Sequence, residues 1–328
     1  MSSSTPTSPR PTPPTDPAAL SFTSQTHDTS YPFIDPLRSP PTGLRVLVTG
    51  ASKGIGRQTA LSFARSGASA IALLARSDLD GVASEVAHAA RHAGHAGPGP
   101  KILKLQTSTT DAAGVERAIA TVEREFGSLD VVVNNASRME VWRSLADADV
   151  HDWWDTWEVN LKGTFLVTRA TLPLVLKSEK GVKTMVVVTS AGGFSAAEIE
   201  TDTDIDADAD VLAYTVNSPS CSAYQGSKTA QIRFNDFLMR EYGEQGLIAY
   251  AVHPGGVKTD VASVMPEWMH HVLTAEADLP ADTLVWLTRE RREWLAGRYV
   301  NAPWDMQELE SRKDEIVEKD LLKLKLIV

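Results

Sequence analysis

The sequence predicts an α/β fold in which helices cover both faces of a single parallel sheet. Six short runs rich in apolar residues alternate along the chain with segments of helical periodicity. Runs that are apolar throughout are typical of strands buried on both faces, as in parallel sheets. A turn with three glycines separates the first run from the first helical segment. Because crossovers between parallel strands are right-handed, the pattern predicts a doubly wound sheet of the Rossmann type.

The predicted elements follow one another without an internal repeat. Strands are expected at residues 44–49, 70–75, 102–105, 129–133, 184–189 and 247–252. Helices are expected at residues 59–66, 78–93, 111–126, 150–177 and from about 224 to 244. Asp111 is expected to cap the third helix, since a carboxylate at that position accepts a backbone N–H of the first turn.

Composition and charge exclude several classes of protein. The 328 residues carry a net charge of -10, so no basic surface is expected for nucleic acid or anionic membranes. The single cysteine, Cys221, excludes an internal disulfide framework and favours a reducing, cytoplasmic setting. No apolar run approaches the roughly 18 residues of a membrane helix, and no secretory signal is expected.

Three segments of different composition are expected. Residues 1–42, rich in Ser, Thr and Pro, are predicted to be a disordered tail, although the apolar stretch at 31–34 could dock on the domain. Residues 43–303 are predicted to form one folded domain, and residues 304–328 a C-terminal extension. Inside the domain, residues 195–220 contain seven acids and no Lys or Arg. This insertion is interpreted either as disordered or as an acidic rim over a substrate entrance.

The turn after the first strand predicts a dinucleotide site. Glycines between a strand and a helix let backbone N–H groups approach a pyrophosphate at the helix N-terminus. A tight turn without a ligand is the alternative. The residues expected to bind are Gly50, Ser52, Lys53, Gly54, Ile55 and Gly56.

The end of the second strand favours NADP(H) over NAD(H). An acid at that position would bind the ribose of NAD, but the sequence has Ala75 and Arg76 there. Lys53 and Arg76 could both contact a 2′-phosphate, which Arg binds through two parallel hydrogen bonds. The alternative is that both are solvated charges and that Asp78 holds the ribose of NAD.

Tyr224 and Lys228 predict acid–base chemistry, because residues four apart lie on one face of a helix. A neighbouring cation stabilises the phenolate and lowers the pKa of a tyrosine. Lowering that pKa by about 3 units needs roughly 4 kcal/mol, which we expect from Lys228 together with a bound cationic nicotinamide. A surface tyrosine beside a surface lysine is the alternative.

Taken in order, these motifs resemble the classical short-chain dehydrogenase/reductase family. They are the glycine turn, Asn134-Asn135-Ala136, Ser190, Tyr224 with Lys228, and Pro254-Gly255. The resemblance covers residues 45–299. The amino-acid sequence of residues 294–305 also resembles a fungal branch of the family that is tied to secondary metabolism. It implies an NADP(H)-dependent oxidoreductase that interconverts a carbonyl and an alcohol on a small apolar or aromatic molecule.

The resemblance also implies roles for four catalytic residues. Tyr224 would donate the proton in reduction and act as the base in oxidation. Lys228 would lower the pKa of Tyr224 and hold the nicotinamide ribose. Ser190 would hydrogen-bond the substrate oxygen, and Asn160 would hold a water that links Lys228 to solvent.

Further positions are implied around the cofactor. Asn134 would steady the sheet beside the adenosine, while Val257 and Thr259 would lie near the nicotinamide carboxamide. No metal is expected. A homodimer or homotetramer would form through the helices that carry Asn160 and Tyr224.

The sequence departs from the family pattern in three places. Ser137 follows Asn-Asn-Ala where the family usually has Gly, and the stretch after Gln106 lacks the acid that often meets the adenine amine. The gap from Ser190 to Tyr224 is longer than usual by about 20 residues, which is the length of the acidic insertion.

Other signals receive structural interpretations. His253 is interpreted as a packing residue, and the apolar residues 265–269 either as a substrate lid or as a surface helix. His88, His92 and His95 are interpreted as an exposed helix face, and Trp153, Trp154 and Trp157 as core or subunit-interface residues. Two other functions stay open: a non-catalytic dinucleotide sensor or scaffold, and a reductase of an activated C=C bond.

Overall fold

The computed structural model describes residues 19–40, 42–95, 98–179, 181–194 and 220–325. Their parallel sheet has the strand order β3-β2-β1-β4-β5-β6-β7. The strands are β1 Arg45–Thr49, β2 Ala70–Ala75, β3 Lys101–Gln106, β4 Val131–Asn134, β5 Thr184–Val188, β6 Ile248–His253 and β7 Tyr299–Asn301. The strand order reverses between β1 and β4, where doubly wound sheets open a crevice for ligands.

Helices cover both faces of this sheet, which confirms the predicted fold class. Neighbouring residues of β1 point to opposite faces, so Val46 and Leu47 belong to two different apolar clusters. The helices are α1 Gly54–Arg65, α2 Asp80–His92, α3 Ala112–Phe126, α4 Val150–Trp157, α5 Thr164–Leu176, α6 Ser222–Tyr242, α7 Asp278–Thr288, α8 Met306–Ser311 and α9 Lys313–Glu318. Asp111 caps α3 as expected, since its carboxylate accepts the N–H of Gly114 at 3.0 Å.

The helix expected at residues 150–177 is not continuous. A π-helical segment, Glu158–Gly163, separates α4 from α5. Within it, Asn160 O accepts hydrogen bonds from Gln231 Nε2 and Thr164 Oγ1, each at 2.6 Å. Short π-segments are frequent at functional sites. Helical periodicity does not reveal this π-helical segment, because one of the two hydrogen bonds to Asn160 O comes from α6.

Part of the segment expected to be disordered packs against the domain. Residues 19–40, which we call the N-terminal strap, cross the segment that follows β7. The indole N–H of Trp304 donates to Ala19 O at 2.8 Å, and Ile34 is completely buried. Residues 19–40 thus do not have the disorder expected of residues 1–42, and Ile34 of the stretch that could dock is buried in the core.

Amino-acid composition does not predict that the strap is ordered, for a physical reason. The strap has few apolar side chains, but they pack against a surface formed by residues 304–318. Trp304 and Met306 are fully buried and belong to the same apolar cluster as Ile34. Residues 1–18 and the acidic insertion at 195–219 lie outside the described residues, so their predicted disorder stays a prediction.

Candidate active site

A cleft of about 670 Å³ opens at the carboxyl ends of the strands. Its size suits a dinucleotide together with a small substrate. Most of the predicted site residues line it: Gly50, Ser52, Lys53, Gly54, Ile55, Arg76, Ser190, Tyr224, Lys228, Val257 and Thr259. Three predicted residues, Gly56, Asn134 and Asn160, are not on its wall.

The glycine turn has the geometry of a phosphate cradle. Gly50 has a φ of +65°, a backbone conformation that residues other than glycine rarely adopt. Gly56 lies behind the cleft, and a Cβ there would collide with Gly50 O and the Asn135 amide. Because residue 56 has no side chain, α1 can start directly against the turn. The N-terminus of α1 faces the cleft. Such a helix end binds phosphate through free N–H groups, so these residues fit a dinucleotide pyrophosphate.

The charges beside the turn suit a second phosphate. Arg76 is exposed on the cleft and makes no ion pair with any residue that the structure describes. Lys53 also lines the cleft and forms an ion pair with Asp260. Asp78, the alternative ribose ligand, accepts the Asp80 N–H at 3.0 Å and does not line the cleft.

Tyr224, Ser190 and Lys228 meet on one wall of the cleft. Ser190 acts on the Tyr224 phenol as a hydrogen-bond partner that opposes the rise in its pKa, and Ser190 Oγ accepts the Gly192 N–H at 3.2 Å. Lys228 Nζ lies 5.4 Å from the centre of the Tyr224 ring and donates to Val188 O at 2.8 Å. A phenol, a hydroxyl and an ammonium thus converge where a substrate oxygen can be bound.

The protein by itself does not lower the pKa of Tyr224, contrary to our expectation for the Lys228 contribution. Burial raises the pKa of Tyr224 to about 12, although the hydrogen bond from Ser190 opposes this change. The carboxylate of Glu140 acts in the same direction as burial. Burial also lowers the pKa of Lys228 to about 7, which weakens its charge. Residue spacing predicts that the Lys228 cation lies near Tyr224, but it does not reveal that burial removes water from both groups.

Asn160 links the loop after β4 to α6 through its side chain. Its side chain is completely buried, and its oxygen accepts the Arg138 N–H at 2.8 Å and the Ser137 hydroxyl at 3.1 Å. Its amide donates to Arg138 O and Ser227 Oγ, both at 2.9 Å. These four bonds use its whole hydrogen-bonding capacity. The water role implied for Asn160 stays a prediction.

Of the two neighbouring asparagines, Asn135 and not Asn134 lines the cleft. Asn134 donates to Thr168 Oγ1 at 3.1 Å and faces α5, away from the cleft. Asn135 lines the cleft, and its amide donates to Thr49 O at 2.9 Å. Because successive residues at a strand end point in opposite directions, only one of the two can reach the cofactor site.

The structure adds wall residues that the motifs did not indicate. Leu20 of the strap reaches the cleft and packs against Ala191, a contact far too long-range to be read from sequence. Met139 and Trp142 also line the cleft, and they follow the Asn-Asn-Ala motif closely enough to have been considered. His253 lies on the wall as well, with an Nδ1 that has no partner among the described residues.

Glu140 is the missed residue closest to the chemistry. Its carboxylate is buried, with only 4% of its surface exposed, and it accepts the Tyr224 N–H. Its only sequence signal is an acid shortly after Asn-Asn-Ala. Nothing in its spacing relates it to Tyr224.

Metal and membrane features were also considered. Among the described residues, no group of three or more His, Cys, Asp or Glu side chains is arranged to hold a metal ion. In the same part of the chain, no helix combines the length and apolar character that crossing a membrane requires.

Comparison with known proteins agrees with this geometry. Residues 45–200 match a family model described as short chain dehydrogenase. Short chain dehydrogenase mpl6 of Monascus purpureus is 46% identical over 311 residues, covering 95% of this chain and 98% of the relative. This confirms the expected resemblance to fungal members of the family.

Two solved structures share the fold. A short chain dehydrogenase from Burkholderia cenocepacia in complex with NADP has a TM-score of 0.62 at 24% identity, covering 80% of this chain and 97% of its own. Carveol dehydrogenase from Mycobacterium avium in complex with NAD has a TM-score of 0.62 at 19% identity, covering 79% and 95%. Since one holds NADP and the other NAD, the fold alone does not choose between them.

Proposed function

We propose that this chain, which belongs to the short-chain dehydrogenase family, is an NADP(H)-dependent oxidoreductase that interconverts a carbonyl and an alcohol. The observation that carries the proposal is the meeting of Tyr224, Ser190 and Lys228 on one wall of the cleft, with Lys228 Nζ 5.4 Å from the centre of the Tyr224 ring. A dinucleotide sensor has no need for a phenol and a hydroxyl directed at one point of the cleft.

The chain's own residues perform the proton chemistry. A bound nicotinamide would supply or accept the hydride at the substrate carbon. In reduction, Tyr224 gives its proton to the substrate oxygen, and Ser190 hydrogen-bonds the same oxygen as negative charge builds on it. Because the pKa of Tyr224 is raised to about 12, the phenol carries its proton at neutral pH. This state suits the reduction of a carbonyl.

The preference for NADP(H) rests on two cations at the ribose end of the cleft. Arg76 is available to a 2′-phosphate, and Lys53 would reach it by leaving Asp260. In the protein, Asp78 is held by the start of α2 rather than directed at the cleft.

The substrate end of the cleft suits a small apolar or aromatic molecule. Its wall includes apolar side chains from separate segments: Leu20, Met139, Trp142, Met265 and Leu273. Met265 belongs to the stretch interpreted as a lid, and this position supports that interpretation over a plain surface helix. The fungal relatives support a role in secondary metabolism. The buried Cys221 thiol is compatible with a cytoplasmic location, which cell fractionation would test.

The assembly that we propose is a homodimer or homotetramer. Three large apolar side chains are exposed on the consecutive helices α4, α5 and α6, namely Trp154, Phe165 and Phe237. Exposed apolar side chains grouped on one region of a surface mark protein–protein contacts. These helices carry or adjoin the catalytic residues, so a partner there would buttress the active site.

The direct test is NADPH oxidation by the purified protein across a panel of ketones, aldehydes and quinones, with the Tyr224→Phe variant alongside. Removing the proton donor is expected to lower kcat about 10²- to 10⁴-fold while the Kd for NADPH changes little. Full turnover by the variant would refute the role of Tyr224.

The same assay separates the alternatives. A sensor would bind NADPH without turning over any member of the panel. Product analysis with an α,β-unsaturated ketone distinguishes the third possibility, since a C=C reductase yields a saturated ketone and a carbonyl reductase an allylic alcohol.

A further inference from the structure

We propose that Glu140 is a positioning residue that fixes the start of α6, and so the place of the Tyr224 hydroxyl, from the loop after β4. The inference rests on the proposed function. It assigns a role in proton transfer to a buried acid that lies outside the family motifs.

The start of α6 needs an acceptor from elsewhere. The first N–H groups of any helix have no partner within the helix. Cys221, which precedes α6, gives no side-chain cap. Glu140 replaces that cap: its Oε1 accepts the Ala223 N–H at 2.8 Å, and both of its oxygens accept the Tyr224 N–H, at 3.1 and 3.0 Å. The backbone of the proton donor is thus held by a carboxylate from another segment.

The loop that carries Glu140 is itself held in place. Arg138, two residues earlier, is bound through its backbone N–H and C=O by the Asn160 side chain, at 2.8 and 2.9 Å. Asn160 in turn donates to Ser227 of α6. On the other side, the Arg143 N–H donates to Ser220 O at 2.9 Å. Contacts on both sides of Glu140 therefore tie the loop to the helix that it caps.

The charge of Glu140 acts on the same phenol. The groups around Tyr224 are Ser190 from the end of β5, Cys221 before α6, Lys228 one turn along α6, and Glu140 from the loop. His253, at the end of β6, faces Lys228, and its pKa is lowered to about 4 by burial and by that lysine, so it is neutral at pH 7. Glu140 raises the pKa of Tyr224 and also that of Cys221. Its charge therefore helps to keep the Tyr224 proton in place for reduction.

A plain helix cap would stabilise the protein without affecting proton transfer. Glu140→Gln separates the two roles, because it keeps the shape and one accepting oxygen but removes the charge. Asp111→Asn is the matched control, since Asp111 caps α3 and does not line the cleft. If Glu140 acts as a cap alone, both variants should leave the proton chemistry unchanged, whatever their effect on stability.

The decisive measurement is the pH profile of kcat, in both directions, with NADP(H) and the best substrate of the panel. We expect the limb that belongs to Tyr224 to move to lower pH by roughly one unit in Glu140→Gln, and to stay in place in Asp111→Asn. Equal profiles for wild type and Glu140→Gln, with only a loss of stability, would overturn the proposal. If Glu140→Gln does not fold, Glu140→Asp keeps the charge. This variant should keep the Tyr224 limb of the pH profile at its wild-type position, with a lower kcat because the shorter side chain misplaces the start of α6. A displaced limb would refute the assignment.

Amide hydrogen exchange provides a readout that needs no substrate. The Ala223 and Tyr224 amides should exchange at least tenfold faster in Glu140→Ala, which removes both accepting oxygens, than in wild type, and at the wild-type rate in Asp111→Asn. If the wild type turns over nothing while this exchange effect is present, the proposed function has failed but the anchoring has not. Unchanged exchange at both amides would refute the anchoring itself.

Discussion

Lys228 is a cation that the fold removes almost completely from water, with 1% of its surface exposed. Its Nζ keeps one strong acceptor, Val188 O, and no carboxylate is paired with it in the described residues. Burial therefore lowers the pKa of Lys228 to about 7. Such a group titrates at physiological pH, which suits a site that must release and recover a proton.

This shift predicts how stability depends on pH. Below pH 7, Lys228 is protonated in both the folded and the unfolded protein, so the full cost of its burial is present. Between pH 7 and about 10.5 the folded state binds fewer protons, so the free energy of unfolding rises with pH, by up to about 1.4 kcal/mol per unit. Urea unfolding from pH 7 to 10 should show this rise in the wild type, and Lys228→Met should flatten it. An equal slope in the variant would contradict the assignment.

At the ribose end, Arg76→Ala tests the cofactor preference. Hydrogen bonds to charged groups contribute about 1.5–3 kcal/mol, so the Kd for NADPH should rise about ten- to hundredfold while that for NADH changes less than about twofold. Fluorescence titration measures both constants. Arg117→Ala, an exposed arginine on α3, is the control. Equal losses for the two cofactors would show that Arg76 does not contact the 2′-phosphate.

How far residues could be predicted depended on how local their contacts are. Tyr224 and Lys228 share a face because of helix geometry alone. Asn160 and Glu140 owe their roles to partners far away in the chain, Ser227 and Tyr224. No spacing rule connects such pairs, so the links that Asn160 makes were not foreseen and Glu140 was missed.

Among the elements, the N-terminal strap shows how a few apolar residues order a polar segment. Ile34 anchors it in the core, and the Arg312 guanidinium lies 3.8 Å from the centre of the Phe22 ring. The Ser24 backbone N–H and hydroxyl donate to the Glu308 carboxylate at 2.8–2.9 Å. The strap thus joins α8 and α9 to the domain and brings Leu20 to the cleft.

The strap predicts a contrast between two of its own residues. Ile34→Ala removes a completely buried side chain and should lower the free energy of unfolding by about 2–5 kcal/mol. Leu37→Ala removes one that is 48% exposed and should change it by less than about 1 kcal/mol. Urea unfolding of both variants measures the difference. Similar small effects would mean that the strap is not part of the core in solution.

At this scale the strands were easier to predict than the connections. β2 has its predicted bounds, because six consecutive apolar residues have no competing interpretation. β7 has only three residues and was not predicted, since it is stabilised by pairing with β6 rather than by its own sequence. The π-segment at Glu158–Gly163 likewise depends on Gln231 of α6.

For the whole molecule, the exposed apolar side chains of α4, α5 and α6 are the basis of the proposed assembly. The wild type should have the mass of at least two chains in light scattering coupled to size exclusion. Trp154→Glu should shift it toward one chain, because a charge at an apolar contact is costly to bury. Trp268→Glu is the matched control, since Trp268 is similarly exposed, at 54% against 58%, on a different segment. An unchanged mass for Trp154→Glu would place the contact elsewhere.

The sequence by itself determined the parallel sheet, the glycine turn and the pairing of Tyr224 with Lys228. These features follow from periodicity, backbone freedom and spacing, which are properties of short stretches of chain. Only the tertiary structure decided which asparagine faces the cleft, that the strap folds, and that Glu140 holds the catalytic helix. It also reversed the expected change in the pKa of Tyr224. Burial and long-range contact control all of these, because both depend on which distant residues the fold brings together.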